Sequence, residues 1–219
     1  MLSDMEIPFT VDQFYSVFRD YNLTVWPMQW LLVAMALAAV AAALRARPWS
    51  GVAVSAILGL LWAWIALAYH LVFFTRINPL AYAFAAFSLA GSAIFLWQGV
   101  IRRRLTFKWT PGLQGMAGAA LMGFALIVYP IWSIYAGHRY PSTATFGLPC
   151  PTTIFTIGLL ALLVPPAPRS TLIVPLLWCF VGAQAAFLLS VPPDLGLVAA
   201  AVVGIGLWIN AGRRRQAAP

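Results

Sequence analysis

The sequence predicts an all-α protein: a polytopic transmembrane helix bundle of about seven helices, N-terminus out and C-terminus in, led by a short amphipathic interfacial helix. Three observations predict it. Of the 219 residues, 63% are hydrophobic and 8% charged, against ~25% charged in a soluble domain, so lipid must be the solvent for most of the chain. Seven apolar runs approach the ~20 residues that cross a ~30 Å hydrocarbon core. Basic residues gather in alternate loops, as cytoplasmic loops require.

Residues 1–24 form the first element. Thr10 and Gln13 read as a capping box, in which the hydroxyl accepts an early helix N–H and the amide reaches back. Phe9 and Phe14 stand where a hydrophobic staple falls, and Phe14, Val17, Phe18 and Tyr21 make one apolar helical face. The element is expected to lie in the outer interface as an anchor, with coverage of the bundle's outer mouth as the alternative.

A single transmembrane bundle follows over 25–212, with spans at 25–44, 51–74, 78–100, 113–136, 150–166, 171–190 and 195–212. The fifth is short and ends in Pro165-Pro166, so six spans with a re-entrant fifth segment is the competing count. Residues 213–219 form a basic cytoplasmic tail. With the N-terminus outside, ten basic residues fall inside and three outside. The five acids, Asp4, Glu6, Asp12, Asp20 and Asp194, all fall outside, and none is expected within a span. The pI near 10.2 is thus explained by topology, and no nucleic-acid partner is predicted. The opening residues lack the pattern of a signal peptide.

Aromatic belts are expected from Trp26, Trp30, Tyr69, Tyr82, Tyr135 and Tyr140 at the outer boundary, and from Trp49, Trp97, Trp109 and Trp208 at the inner one. Small residues every fourth position predict packing seams at Ala34/Ala38/Ala42, Gly115/Ala119/Gly123 and Gly196/Ala200/Gly204. Pro130 and Pro175 are expected to kink or break their helices and free carbonyls.

The chain contains no phosphate loop, zinc-protease helix or nucleophile elbow, and its one lysine, Lys108, lies in a loop. No catalytic residue is assigned. The chemistry that remains clusters near the outer face: His70, Asn78, His138, Thr152, Thr153, Thr156 and Gln184 are the candidate lining of one polar pocket. Asn78-Pro79 starts the third span as a cap. His70, His138 and Cys150 form a candidate metal set, because imidazole and thiolate suit Zn(II), Cu(I) or Hg(II). A transition metal ion is therefore the one cofactor the sequence suggests.

Several stretches carry a resemblance. They are Pro8-Phe9-Thr10, Tyr21-Asn22, Trp26-Pro27, Tyr69-His70, Ile77-Asn78-Pro79, Tyr129-Pro130, Gly137-His138-Arg139-Tyr140-Pro141 and the run Thr145 to Thr156. On these the chain resembles an uncharacterised bacterial family of multi-pass membrane proteins, catalogued as a domain of unknown function and sometimes labelled permease. The resemblance implies the bacterial inner membrane and no particular reaction.

The function expected first is a small-solute or ion permease with an outward-facing polar site. A metal-binding or redox accessory protein using His70, His138 and Cys150 is the second reading. A structural subunit of a larger membrane complex is the third. The lipid bilayer is the predicted partner, with a homo-oligomer or a membrane-complex partner as a further one.

Overall fold

The computed structural model describes residues 8–216, with side chains through Ala211. Asp4, Glu6 and the last three residues lie outside the described residues, as do the side chains of Arg213, Arg214 and Arg215. Among the described residues eight helices follow one another: α1 (Val11–Thr24), α2 (Met28–Arg45), α3 (Ser50–Arg76), α4 (Ala81–Ile101), α5 (Leu113–Tyr135), α6 (Pro149–Leu160), α7 (Ser170–Leu188) and α8 (Leu195–Gln216). Six of them, α2 to α5, α7 and α8, are long and apolar enough to cross a membrane, which makes the fold a transmembrane helix bundle.

Helix α1 starts as its sequence requires. The Gln13 N–H donates to the Thr10 hydroxyl (3.2 Å), and the Thr10 N–H donates to the Gln13 side chain (2.8 Å). Phe9 stacks on Phe14 at 6.0 Å between centroids. The helix does not leave its apolar face for lipid. Phe14, Val17, Phe18 and Tyr21 are buried against the bundle, with Phe14 edge-on to Phe74 and Tyr21 edge-on to Tyr69 and Phe73. It caps one end of the molecule, here called the capped end. The opposite, arginine-rich end carries Arg47, Arg102, Arg103, Arg104 and Arg169.

Helix α6 sits in the centre, packed on α5, α7 and α8. Every residue of it except Cys150 is buried. Its 12 residues span about 18 Å at ~1.5 Å each, little more than half the hydrocarbon core. The fifth predicted span is therefore a short interior helix that continues as extended chain. It runs antiparallel to α5: Ile154 and Phe124 meet over Gly196, Gly158 meets Gly118, and the Ala161 carbonyl accepts from Gln114. Beyond it, Leu162 and Val164 pair with Thr106 and Lys108 in a short two-stranded strap at the arginine-rich end. The chain thus passes from one end of the bundle to the other, and its first non-helical residues, Ala161 to Leu163, are buried in protein.

Glycines set the closest approaches. An added Cβ at Gly118 would stand 2.7 Å from the Gly158 carbonyl oxygen, so α5 and α6 touch backbone to backbone. Of the predicted seams, Gly196/Ala200/Gly204 is buried as a whole. The other two are corrected. On α2 the inward alanines are Ala36, Ala39, Ala42 and Ala43, so Ala42 of the predicted seam is buried, whereas Ala34 and Ala38 are exposed. On α5, Gly115 and Gly118 face inward and Ala119 is exposed. A four-residue spacing drifts about 40° per step on a 3.6-residue turn, so such a row stays inward only where neighbours pack over a wide face, as they do on α8.

The belt residues Trp26, Trp30, Tyr82, Tyr135 and Tyr140 are exposed at or near the capped end, and Trp49 and Trp97 at or near the other. Tyr69 is a further correction: it is buried, walled in by Tyr21, Phe18 and Phe74.

Candidate functional site

Three helices lose regular geometry. Single π-helical segments interrupt α3 at Ile65–His70, α4 at Leu96–Ile101 and α5 at Phe124–Val128. A π turn holds one extra residue, which rotates the side chains that follow it. In α3 the segment ends on Tyr69 and His70, both buried in the capped end. In α5 it precedes Pro130, whose missing N–H excludes an ordinary helical bond there, and it sets Tyr129 inward. Pro175 lies inside α7 one turn before Trp178.

These elements enclose a cavity of about 430 Å³ under α1. Its walls are mostly apolar and aromatic. Phe9, Phe14 and Phe18 roof it, Phe74 and Phe84 flank it, and Trp178 closes the α7 side. Its rim on α7 includes Val181 and Leu188, 41% and 44% exposed on the helix's outer, apolar face.

Two polar groups on the wall have no protein partner. His70 is 0% exposed, and neither ring nitrogen is hydrogen-bonded. The indole N–H of Trp178 is likewise unpaired. The two rings lie 5.2 Å apart between centroids, with Phe84 against both at 5.7 and 5.3 Å.

A second group of polar atoms joins Tyr129 and Cys150, both on the wall, to Asp194 behind it. Tyr129 donates its hydroxyl hydrogen to the carboxylate of Asp194, which is 1% exposed. The Cys150 thiol adjoins the same carboxylate and the Trp178 indole. Asp194 corrects the expectation that no acid falls within a span: the last apolar segment runs Pro192–Ala211 and takes it in. It ends the turn Pro192–Asp194 that leads into α8, and Tyr129 and Cys150 from α5 and α6 close over it.

The structure brings His70, Asn78, Cys150 and Gln184 together on the cavity. Asn78 also serves as the predicted cap, its side-chain oxygen accepting from the Leu80 N–H at 3.0 Å. The three threonines are corrected: Thr152, Thr153 and Thr156 are 0% exposed in the packed floor and do not line it. Thr152 accepts from the Gly147 N–H. Thr156 donates to the Thr152 carbonyl and accepts from the Trp62 indole. Hydroxyls in the first turns of a helix commonly bond locally in this way.

His138 is corrected as well. It stands outside the cavity and stacks on Tyr15 at 3.8 Å, so partial burial holds its pKa below the ordinary imidazole value. Burial, reinforced by the charge of Asp194, pushes the Tyr15 phenol up to about 12. Tyr15 also donates to the Ser190 carbonyl. Among the described residues no three of His, Cys, Asp and Glu lie close enough to hold a metal ion, so His70, His138 and Cys150 are not one ligand set.

Four residues of the site escaped the sequence reading: Tyr69, Tyr129, Trp178 and Asp194. The only available signal was the aromatic or acid beside a proline, as in Tyr129-Pro130 and Pro193-Asp194.

A bundle of apolar helices with an aromatic cavity at one end is the class this fold and site define. Within that class the chain belongs to the family of unknown function DUF6064, whose model matches residues 11–218. No curated protein matches it, and no solved structure does.

Proposed function

We propose that this chain binds a small organic solute at the outer face of the bacterial cytoplasmic membrane, in the cavity beneath α1. One observation carries the reading: a fully buried imidazole with two unpaired nitrogens on the wall of a 430 Å³ cavity. A buried polar group without a partner costs about 1–3 kcal/mol. A ligand that supplies the partner recovers that cost, and the volume lies within the ~300–1,000 Å³ range of small-molecule sites. The outward orientation rests on the basic residues, which gather at the end opposite α1.

The test is native mass spectrometry of protein extracted gently from its own membrane. A small molecule bound one to one, and lost from Val181→Trp or Ala185→Phe, which fill the mouth, is the expected result. Equal ligand content in wild type and both variants sinks the reading.

Transport is the second reading, favoured by the helices interrupted beside the cavity at Ile65–His70, Phe124–Val128 and Pro175. Uptake of the co-purified molecule into proteoliposomes, abolished by the same two variants, separates a permease from a binding protein.

A further inference from the structure

We infer that the ligand is an uncharged amphiphile. It has one polar group that both donates and accepts a hydrogen bond (a hydroxyl, an amide or an undissociated acid) on an aromatic or branched apolar body. The inference rests on the cavity being a solute site and adds the chemistry of its occupant.

The polar requirement comes from His70 and Trp178. An imidazole sealed from water with no ionic partner presents one donor and one acceptor nitrogen. The indole adds a second donor and no acceptor. Among the described residues neither imidazole nitrogen is paired, and beside the indole N–H stands only the Cys150 thiol, a weak acceptor. With the rings 5.2 Å apart, one small group reaches both. A hydroxyl or amide answers two donors with its lone pairs and one acceptor with its hydrogen.

Charge is excluded on both sides. Among the described residues no Lys, Arg, Asp or Glu lines the cavity. An anion would enter a mostly apolar, aromatic space without a described countercharge, at a desolvation cost that two neutral N–H donors do not cover. A cation would gain from the rings, but it would meet N–H donors at the polar end. The nearest carboxylate, Asp194, does not line the cavity and is occupied by Tyr129. The body's character follows from Phe14, Phe74 and Phe84, which leave ring faces and edges for apolar contact. The α7 rim opens beside exposed Val181 and Leu188, so an apolar molecule dissolved in the bilayer meets the mouth directly.

Three probes of one shape test this: 2-phenylethanol, phenylacetate at pH 8 and phenyltrimethylammonium. Each is measured by equilibrium dialysis against the full chain in neutral-lipid nanodiscs, with empty nanodiscs subtracted. We expect 2-phenylethanol to bind at least about tenfold more tightly than either ion, the equivalent of ~1.4 kcal/mol. We expect Val181→Trp to abolish that binding, and His70→Leu to reduce the preference to about threefold or less. Tighter binding of phenylacetate or phenyltrimethylammonium, lost in Val181→Trp, overturns the uncharged class and leaves the solute site standing. An alcohol preference unchanged in His70→Leu overturns the role given to the imidazole. Failure of all three probes to exceed empty nanodiscs overturns the inference together with the site on which it rests.

Discussion

Asn22 and His70 lie at the same end of the bundle, and each is 0% exposed, yet the protein treats them in opposite ways. The Asn22 amide donates to the carbonyls of Pro141 (2.6 Å) and Thr143 (2.7 Å), and its oxygen accepts from the Thr145 hydroxyl (2.7 Å). Its backbone carbonyl accepts from Gln29 and Tyr140. One side chain thereby pins α1 to the connection between α5 and α6. His70 makes no hydrogen bond at all. Buried polar groups are normally satisfied because the alternative is expensive. The difference separates a polar group that holds the fold from one that the fold holds ready.

The sharpest way to break this comparison is Asn22→Ala. It strands two carbonyls and a hydroxyl, so a loss of about 3 kcal/mol is expected, at ~1–3 kcal/mol for each buried group left unpaired. Chemical unfolding in detergent measures it, and a loss below ~1 kcal/mol would remove Asn22 from its structural role. Next comes Gly118→Val, a control site where volume alone decides. Its side chain would meet the Gly158 carbonyl, and a loss of about 1–3 kcal/mol is expected in the same assay.

His70→Leu sharpens the contrast by reversing the sign. Removing two unpaired nitrogens from a buried position is expected to raise stability by about 1 kcal/mol. A destabilised variant would mean that the ring is satisfied in solution.

The smallest effect is in pH. His138 has a folded pKa below its unfolded value of ~6.5, so its contribution is complete above that pH and declines as pH falls through the lowered value. The unfolding midpoint should begin to drop in wild type as pH falls below about 6.5. That slope should be shallower in His138→Phe, which keeps the stack on Tyr15.

Much of the fold was legible because lipid imposes simple rules. The long spans follow from unbroken apolar length, and the start of α1 follows from Thr10, Gln13 and Phe9. Helix α6 was harder. It is buried on all sides, so no face alternates and its run carries no periodic signal. The site was half legible. His70, Asn78, Cys150 and Gln184 stand out as polar or reactive types in apolar surroundings. Trp178 reads as one more apolar residue until its N–H is found without a partner. Asp194 reads as a solvated helix-start acid, because Tyr129 and Cys150, which bury it, are 65 and 44 positions away in the chain. His138 misled for the converse reason: its flanking glycine and arginine mark the same helix end as the cavity, but on the other side of Tyr15.

The brevity of α6 bears on how the protein is made. A 12-residue helix flanked by open backbone is a poor candidate to enter a bilayer on its own, since its unpaired amides would meet hydrocarbon. In the folded bundle it crosses packed among α5, α7 and α8. Two of those three are synthesised after it, so biogenesis must shelter this segment until the C-terminal hairpin arrives, and a chain stopped short of α7 should leave it stranded at the membrane surface.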